Sequence, residues 1–128
     1  MSLERVLHVE DDESIRMVAE IALTDVAGFT LLSCEGGKAA LAQVEAFSPQ
    51  LILLDVMMPE MDGLQTLAAL RQLPGIVKVP VVFMTAKIQQ AEKQRYLDAG
   101  AIGIIEKPFE PMELGEMLNC FFQQSQIA

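Results

Sequence analysis

Five short apolar runs recur along the chain: RVLHV (5–9), TLLSC (30–34), LILL (51–54), PVVFM (80–84) and IGII (102–105). They are apolar nearly throughout, the pattern of strands covered on both faces. The segments between them carry helical spacing instead. Ile15, Val18, Ala22 and Val26 recur at i, i+3, i+7 and i+11. Leu41, Val44 and Phe47 form a second stripe, and Leu64, Leu67, Ala68 and Leu70 a third. Leu114, Met117, Leu118, Phe121 and Phe122 follow i, i+3, i+4, i+7 and i+8, the fullest apolar face of the set. Residues 87–98 have a weak stripe and many polar side chains, so they predict the least secure helix. Five strands alternating with five helices imply an α/β fold, doubly wound around a parallel sheet with helices on both faces.

Length and composition narrow this picture. The 128 residues suit one domain, and no repeat, low-complexity stretch or linker divides them. A 52% hydrophobic content supports a core and argues against disorder. No apolar run approaches the roughly 18 residues of a membrane span. The start, MSLERVLHV, lacks the basic segment and long apolar core of a signal peptide. A net charge of -9 repels phosphate backbones, so direct nucleic-acid binding is not expected, and cations or basic partners fit better. Cys34 and Cys120 match no metal spacing and are too few for a disulfide scaffold. Both read as packing residues of a reduced, cytoplasmic protein.

In open parallel sheets, ligands bind outside the carboxyl ends of the strands. Glu10, Asp11, Asp12 and Glu13 follow the first run, Asp55 the third, Thr85 the fourth, and Lys107 with Pro108 the fifth. Each has an ordinary explanation by itself: an acidic first helical turn, a turn cap, a strand-end hydroxyl, a solvated lysine. Their joint placement at successive strand ends is harder to explain that way. Glu10 or Asp11 beside Asp55 would raise a pKa or require a cation. An all-oxygen acidic cluster suits a hard ion such as Mg2+. Together with an ammonium and a hydroxyl, it is what a transferred phosphoryl group needs, with a carboxylate as nucleophile.

The motifs HVEDDESIR (8–16), LILLDVMMPEMDG (51–63), VVFMTA (81–86), AGA (99–101) and EKPF (106–109), in this order and spacing, resemble the receiver domain of bacterial two-component response regulators. The resemblance covers nearly the whole chain, so residues 1–128 are expected to form one such domain with flavodoxin-like strand order 2-1-3-4-5. It implies a phosphorylation-dependent signalling switch, not a turnover enzyme. Asp55 would accept a phosphoryl group from a sensor histidine kinase's phosphohistidine or a small acyl-phosphate donor. Asp11, Asp55 and the backbone carbonyl of Met57 would hold Mg2+, with Glu10 reaching it through water. Thr85 would follow the phosphoryl group, Lys107 would pair with it, and Pro108 would follow a cis peptide. The surface around the fourth helix, fifth strand and fifth helix would then control an output domain or downstream protein. Asp12, one residue past the acidic pair, reads as a helix cap.

The sequence also departs from the family. The fifth strand normally carries Tyr or Phe three residues before the lysine, and here that position is Ile104. An aliphatic side chain cannot swing a ring, which puts the relay from Thr85 in doubt. Thr85 could instead reorganise the loop at Ala86 and Lys87 and the weak fourth helix. Met57 and Lys87 occupy positions that in the family tune loss of the phosphoryl group. The last helix lacks the basic residues typical of DNA-binding members that dimerise there, and carries Glu110, Glu113 and Glu116. Other residues point to packing: His8 within the first strand, Tyr96 on the weak helix, and the phenylalanines Phe121 and Phe122 in the core. Three competing readings remain. A Mg2+-dependent phosphatase would want an acid at Met57, a flavin module would want a phosphate-cradling first loop, and a degenerate receiver finds support only in Ile104.

Overall fold

The computed structural model describes residues 1–86 and 89–126; Lys87 lies outside the described residues. Five parallel strands pair in the order 2-1-3-4-5, as the resemblance implied. They are β1 (Arg5–Val9), β2 (Thr30–Cys34), β3 (Leu51–Asp55), β4 (Val81–Thr85) and β5 (Gly103–Glu106). The helices are α1 (Glu13–Ile21), α2 (Gly37–Phe47), α3 (Gly63–Leu70), α4 (Gln90–Asp98) and α5 (Pro111–Ser125). A π-helical turn, Ala22–Val26, continues α1. Among the described residues no helix is long and apolar enough to cross a membrane.

Strand alternation divides the core into two layers. Leu7, Val9, Ile52, Leu54, Val81 and Phe83 face one way, towards Ala40 and Val44 of α2, Leu67 and Leu70 of α3 and Tyr96 of α4. Val6, Leu51, Leu53, Val82, Met84 and Ile105 face the other, towards Ala19, Leu114, Leu118 and Phe122 of α1 and α5. Every residue of β3 and β4 is buried, which is why those runs read as apolar with no alternation. Burying a Leu or Phe side chain is worth about 1.5–3 kcal/mol, so the sheet is the rigid part of the molecule.

Three expectations need correction. The inward face of α1 and its continuation is Ala19, Ala22 and Leu23, whereas Val18 and Val26 are exposed. The small alanines let this segment sit close to the sheet, and the larger valines are left on its flank. Ala68 is exposed on α3, where the buried face runs through Gly63, Thr66, Leu67 and Leu70. Cys120 is exposed while Cys34 is buried, because Cys120 lies on the outer flank of α5 beside Glu116 and Met117. Of the phenylalanines, Phe122 is core, and Phe121 is half-buried at a core edge.

Candidate functional site

The strand registers bring the carboxyl ends level. Val9 pairs with both Cys34 and Leu54, Asp55 with Met84, and Thr85 with Glu106. The residues at or just past these positions therefore share one edge of the sheet. Asp12 leaves β1 in an extended conformation and caps α1, accepting a hydrogen bond from the Ile15 N–H at 2.9 Å, as the sequence suggested. Arg16, one turn into α1, donates to the Glu10 carbonyl oxygen at 2.9 Å and to that of Asp11 at 3.4 Å. The acidic loop is thus fastened from above by a cation.

Past Asp55 the chain turns through Pro59 and Glu60, the latter with φ 66°, before Asp62 caps α3 in a reciprocal arrangement with Gln65. Gly63 donates to the Val56 carbonyl oxygen at 2.8 Å. A Cβ on Gly63 would meet the Asp55 carbonyl oxygen at 2.5 Å and the Val56 Cα at 2.8 Å. Glycine is needed there because the start of α3 rests directly on the end of β3. Met57 is exposed in this loop and Met58 is buried beneath it.

Lys107 follows β5 and its N–H donates to the Thr85 carbonyl oxygen at 2.7 Å. The Lys107–Pro108 peptide is cis, as expected. The Lys107 ammonium lies 2.6 Å from Asp55 Oδ1 and 2.8 Å from Glu10 Oε1. Both carboxylates are 1% exposed, and among the described residues neither oxygen of Asp55 has a hydrogen-bond partner apart from Lys107. Carboxylate oxygens of Glu10, Asp11 and Asp55 come within 4.8 Å of one another, and Asp11 is exposed. Thr85 is buried at the end of β4.

The electrostatics follow from this burial. Loss of hydration pushes the Glu10 carboxyl up to about 7; the Lys107 hydrogen bond opposes the rise and the Asp55 charge adds to it. Burial likewise raises Asp55, with Lys107 opposing. Burial alone would lower Lys107, but its contacts with Asp55 and Glu10 outweigh it, and the ammonium is held more firmly than usual. One lysine thus serves two buried acids with a third carboxylate alongside. That excess of negative charge, with an unpartnered Asp55 oxygen, suits a hard divalent ion bound through oxygen. His8, on β1 below Glu10, is fully buried. Its imidazole is pushed down to about 3 by burial and by the charges of Lys107 and Arg16, which fits a neutral packing role.

The structure therefore brings Glu10, Asp11, Asp55 and Lys107 together, with Thr85 bonded through its backbone to Lys107. It also adds residues the sequence reading passed over. Arg16 is one. Glu35, Lys38 and Glu60 line a cleft that reaches Asp11, and Lys38 and Glu60 are 4.0 Å apart on its rim. Glu35 could have been found, since it follows the second strand just as Glu10 follows the first. Nothing in the local sequence marks Arg16, whose partners are backbone carbonyls.

An open parallel sheet with acids, an ammonium and a hydroxyl at its carboxyl edge is the arrangement of a switch domain built around a carboxylate cluster that could hold a cation. This chain belongs to the response regulator receiver domain family, whose pattern matches residues 6–119. It is 33% identical over 125 residues to the alkaline phosphatase synthesis transcriptional regulatory protein PhoP of Bacillus subtilis, a match covering 98% of this chain and 51% of that one. It is 38% identical over 111 residues to the DNA-binding response regulator MtrA of Mycolicibacterium paratuberculosis, covering 87% and 48%. The chain spans about half the length of these curated relatives. Among solved structures, the chemotaxis protein CheY4 of Vibrio cholerae superposes with a TM-score of 0.86 at 31% identity, covering 94% of this chain and 99% of that one. The signal receiver domain of a signal transduction histidine kinase from Syntrophus aciditrophicus gives 0.81 at 26% identity, covering 98% and 94%.

Proposed function

We propose that residues 1–128 form one receiver domain in which Asp55 accepts a phosphoryl group from a sensor histidine kinase's phosphohistidine or from a small acyl phosphate. The observation that carries this is the buried Asp55 carboxylate, held at 2.6 Å by Lys107 among two further acids. The Asp55 carboxylate attacks phosphorus and forms an acyl phosphate. The donor's P–N or P–O bond breaks, and its electron pair leaves with the imidazole or the carboxylate. Asp11, Asp55 and the Met57 carbonyl would hold Mg2+, with Glu10 reaching it through water. When bound, the ion screens the carboxylates and the phosphoryl oxygens from one another. Lys107 keeps one phosphoryl oxygen paired, and the Thr85 hydroxyl donates to another. The phosphoryl group stays on the protein, so this is a switch and not turnover of an external substrate.

The output is a change in the surface around α4, β5 and α5, read by an output domain or a downstream protein. Two relatives carry regulatory or DNA-binding names. In this chain β5 to α5 presents Glu106, Glu110, Glu113 and Glu116 to solvent, so any contact with nucleic acid belongs to a partner. Phosphoryl transfer from a sensor kinase that draws on ATP fits a cytoplasmic domain.

Incubation with an acyl phosphate and Mg2+ should add one phosphoryl mass to the intact protein. Chelation of the metal should prevent the gain, and Asp55→Asn should abolish it. Equal labelling of Asp55→Asn and wild type would end the proposal.

A further inference from the structure

Alternation along β4 puts Val81, Phe83 and Thr85 on one face, and the first two lie in the core layer beneath α2, α3 and α4. Ile104, the register partner of Phe83 on β5, packs against the same layer. The aromatic side chain that meets Phe83 here comes from α4. Tyr96 is 4% exposed, and its ring stands edge-on to Phe83, 5.4 Å between centroids and 63° between planes. Tyr96 is also the one buried side chain that α4 contributes. The residues around it on the helix (Lys93, Gln94, Arg95 and Leu97) are all exposed. Ile104 is aliphatic, branched at Cβ and stiff at its first torsion, so the aromatic ring that packs on Phe83 is carried by the helix, not by the strand.

Resting on the reading that Asp55 is phosphorylated, we infer that Tyr96 is the residue that couples the site to the α4 surface. Thr85 sits one pleat beyond Phe83. When its hydroxyl turns to a phosphoryl oxygen, the packing around Phe83 changes, Tyr96 leaves its place against that ring, and α4 moves with its single anchor. A ring already 4% exposed can only become more accessible, which fixes the sign of the effect.

The chain has one tyrosine and no tryptophan, so its tyrosine emission reports position 96 alone. The experiment is acrylamide quenching of that emission in the full chain, before and after treatment with acetyl phosphate and Mg2+, with phosphorylation read separately by intact mass. In wild type the quenching constant should rise severalfold as the mass increases. Thr85→Ala, checked for folding by circular dichroism and compared with wild type at the same phosphoryl occupancy read by intact mass, should show little or no rise in quenching. Mass gain in wild type without a quenching change would overturn the coupling role and leave phosphorylation standing. An equal rise in wild type and Thr85→Ala would overturn it as well. No mass gain would overturn both the phosphorylation reading and the inference built on it.

Discussion

Helices α4 and α5 lie on opposite faces of β5 and are attached to the sheet in opposite ways. α5 buries Leu114, Gly115, Leu118 and Phe122, and a Cβ on Gly115 would meet the Ala27 Cβ at 2.4 Å. α4 buries Tyr96 alone. Each fully buried Leu or Phe is worth about 1.5–3 kcal/mol, so α5 is fixed several times over. α4 is held by one aromatic pair, which adds about 0.5–1.5 kcal/mol to the area that ring buries. The difference shows how a rigid sheet can carry a movable surface. Lys107 enters its site between β5 and the well-anchored α5, so its contacts with Glu10 and Asp55 keep their geometry. The loosely attached helix beyond Thr85 is free to respond.

This contrast can be broken in several places. The largest effect should come from Leu118→Ala, which removes a fully buried side chain of α5 and should lower unfolding stability by about 2–5 kcal/mol in a urea titration. A loss below about 1 kcal/mol would show that α5 is not the fixed element. Next, Gly115→Ala should destabilise by about 1–3 kcal/mol through overpacking against Ala27, measured the same way. On α4, Gln94 and Asp98 share only an exposed hydrogen bond of 2.9 Å, so Gln94→Ala should stay within about 0.5 kcal/mol of wild type.

The last measurement should show no effect, and it sharpens the comparison most. Cys34 is buried, and burial with the nearby Glu35 charge pushes its thiol up to about 11. At pH 8 it is therefore almost wholly protonated and should stay silent to alkylation, becoming reactive only as pH rises towards that value. Exposed Cys120 then reports α5 alone. Its alkylation rate should be the same before and after phosphorylation. A phosphorylation-dependent change at Cys120 would mean that both helices move.

Much of this molecule was legible before folding was considered. RVLHV and TLLSC coincide with β1 and β2, because strands buried on both faces must be written in apolar residues. Asp12 as the α1 cap was readable from its place one residue past the acidic pair. The face of α1 was not, because valines and alanines at helical spacing do not reveal which set packs inward. Cys120 was expected to pack because free cysteines are usually buried, a tendency its place on the outer flank of α5 overrides. Arg16, Glu35, Lys38 and Glu60 were passed over because their partners lie in other loops, or are backbone atoms with no sequence signature.

The sequence by itself determined the alternation of strands and helices, hence a parallel sheet, and which loops would carry acids, hydroxyl and lysine. Those depend on periodicity and residue type, which are local. Only the tertiary structure decided that one ammonium would serve both Glu10 and Asp55. It also decided that the aromatic against Phe83 would come from α4, with Ile104 on the strand. Those are matters of register and packing between segments far apart in the chain, where a difference of an ångström determines which groups touch.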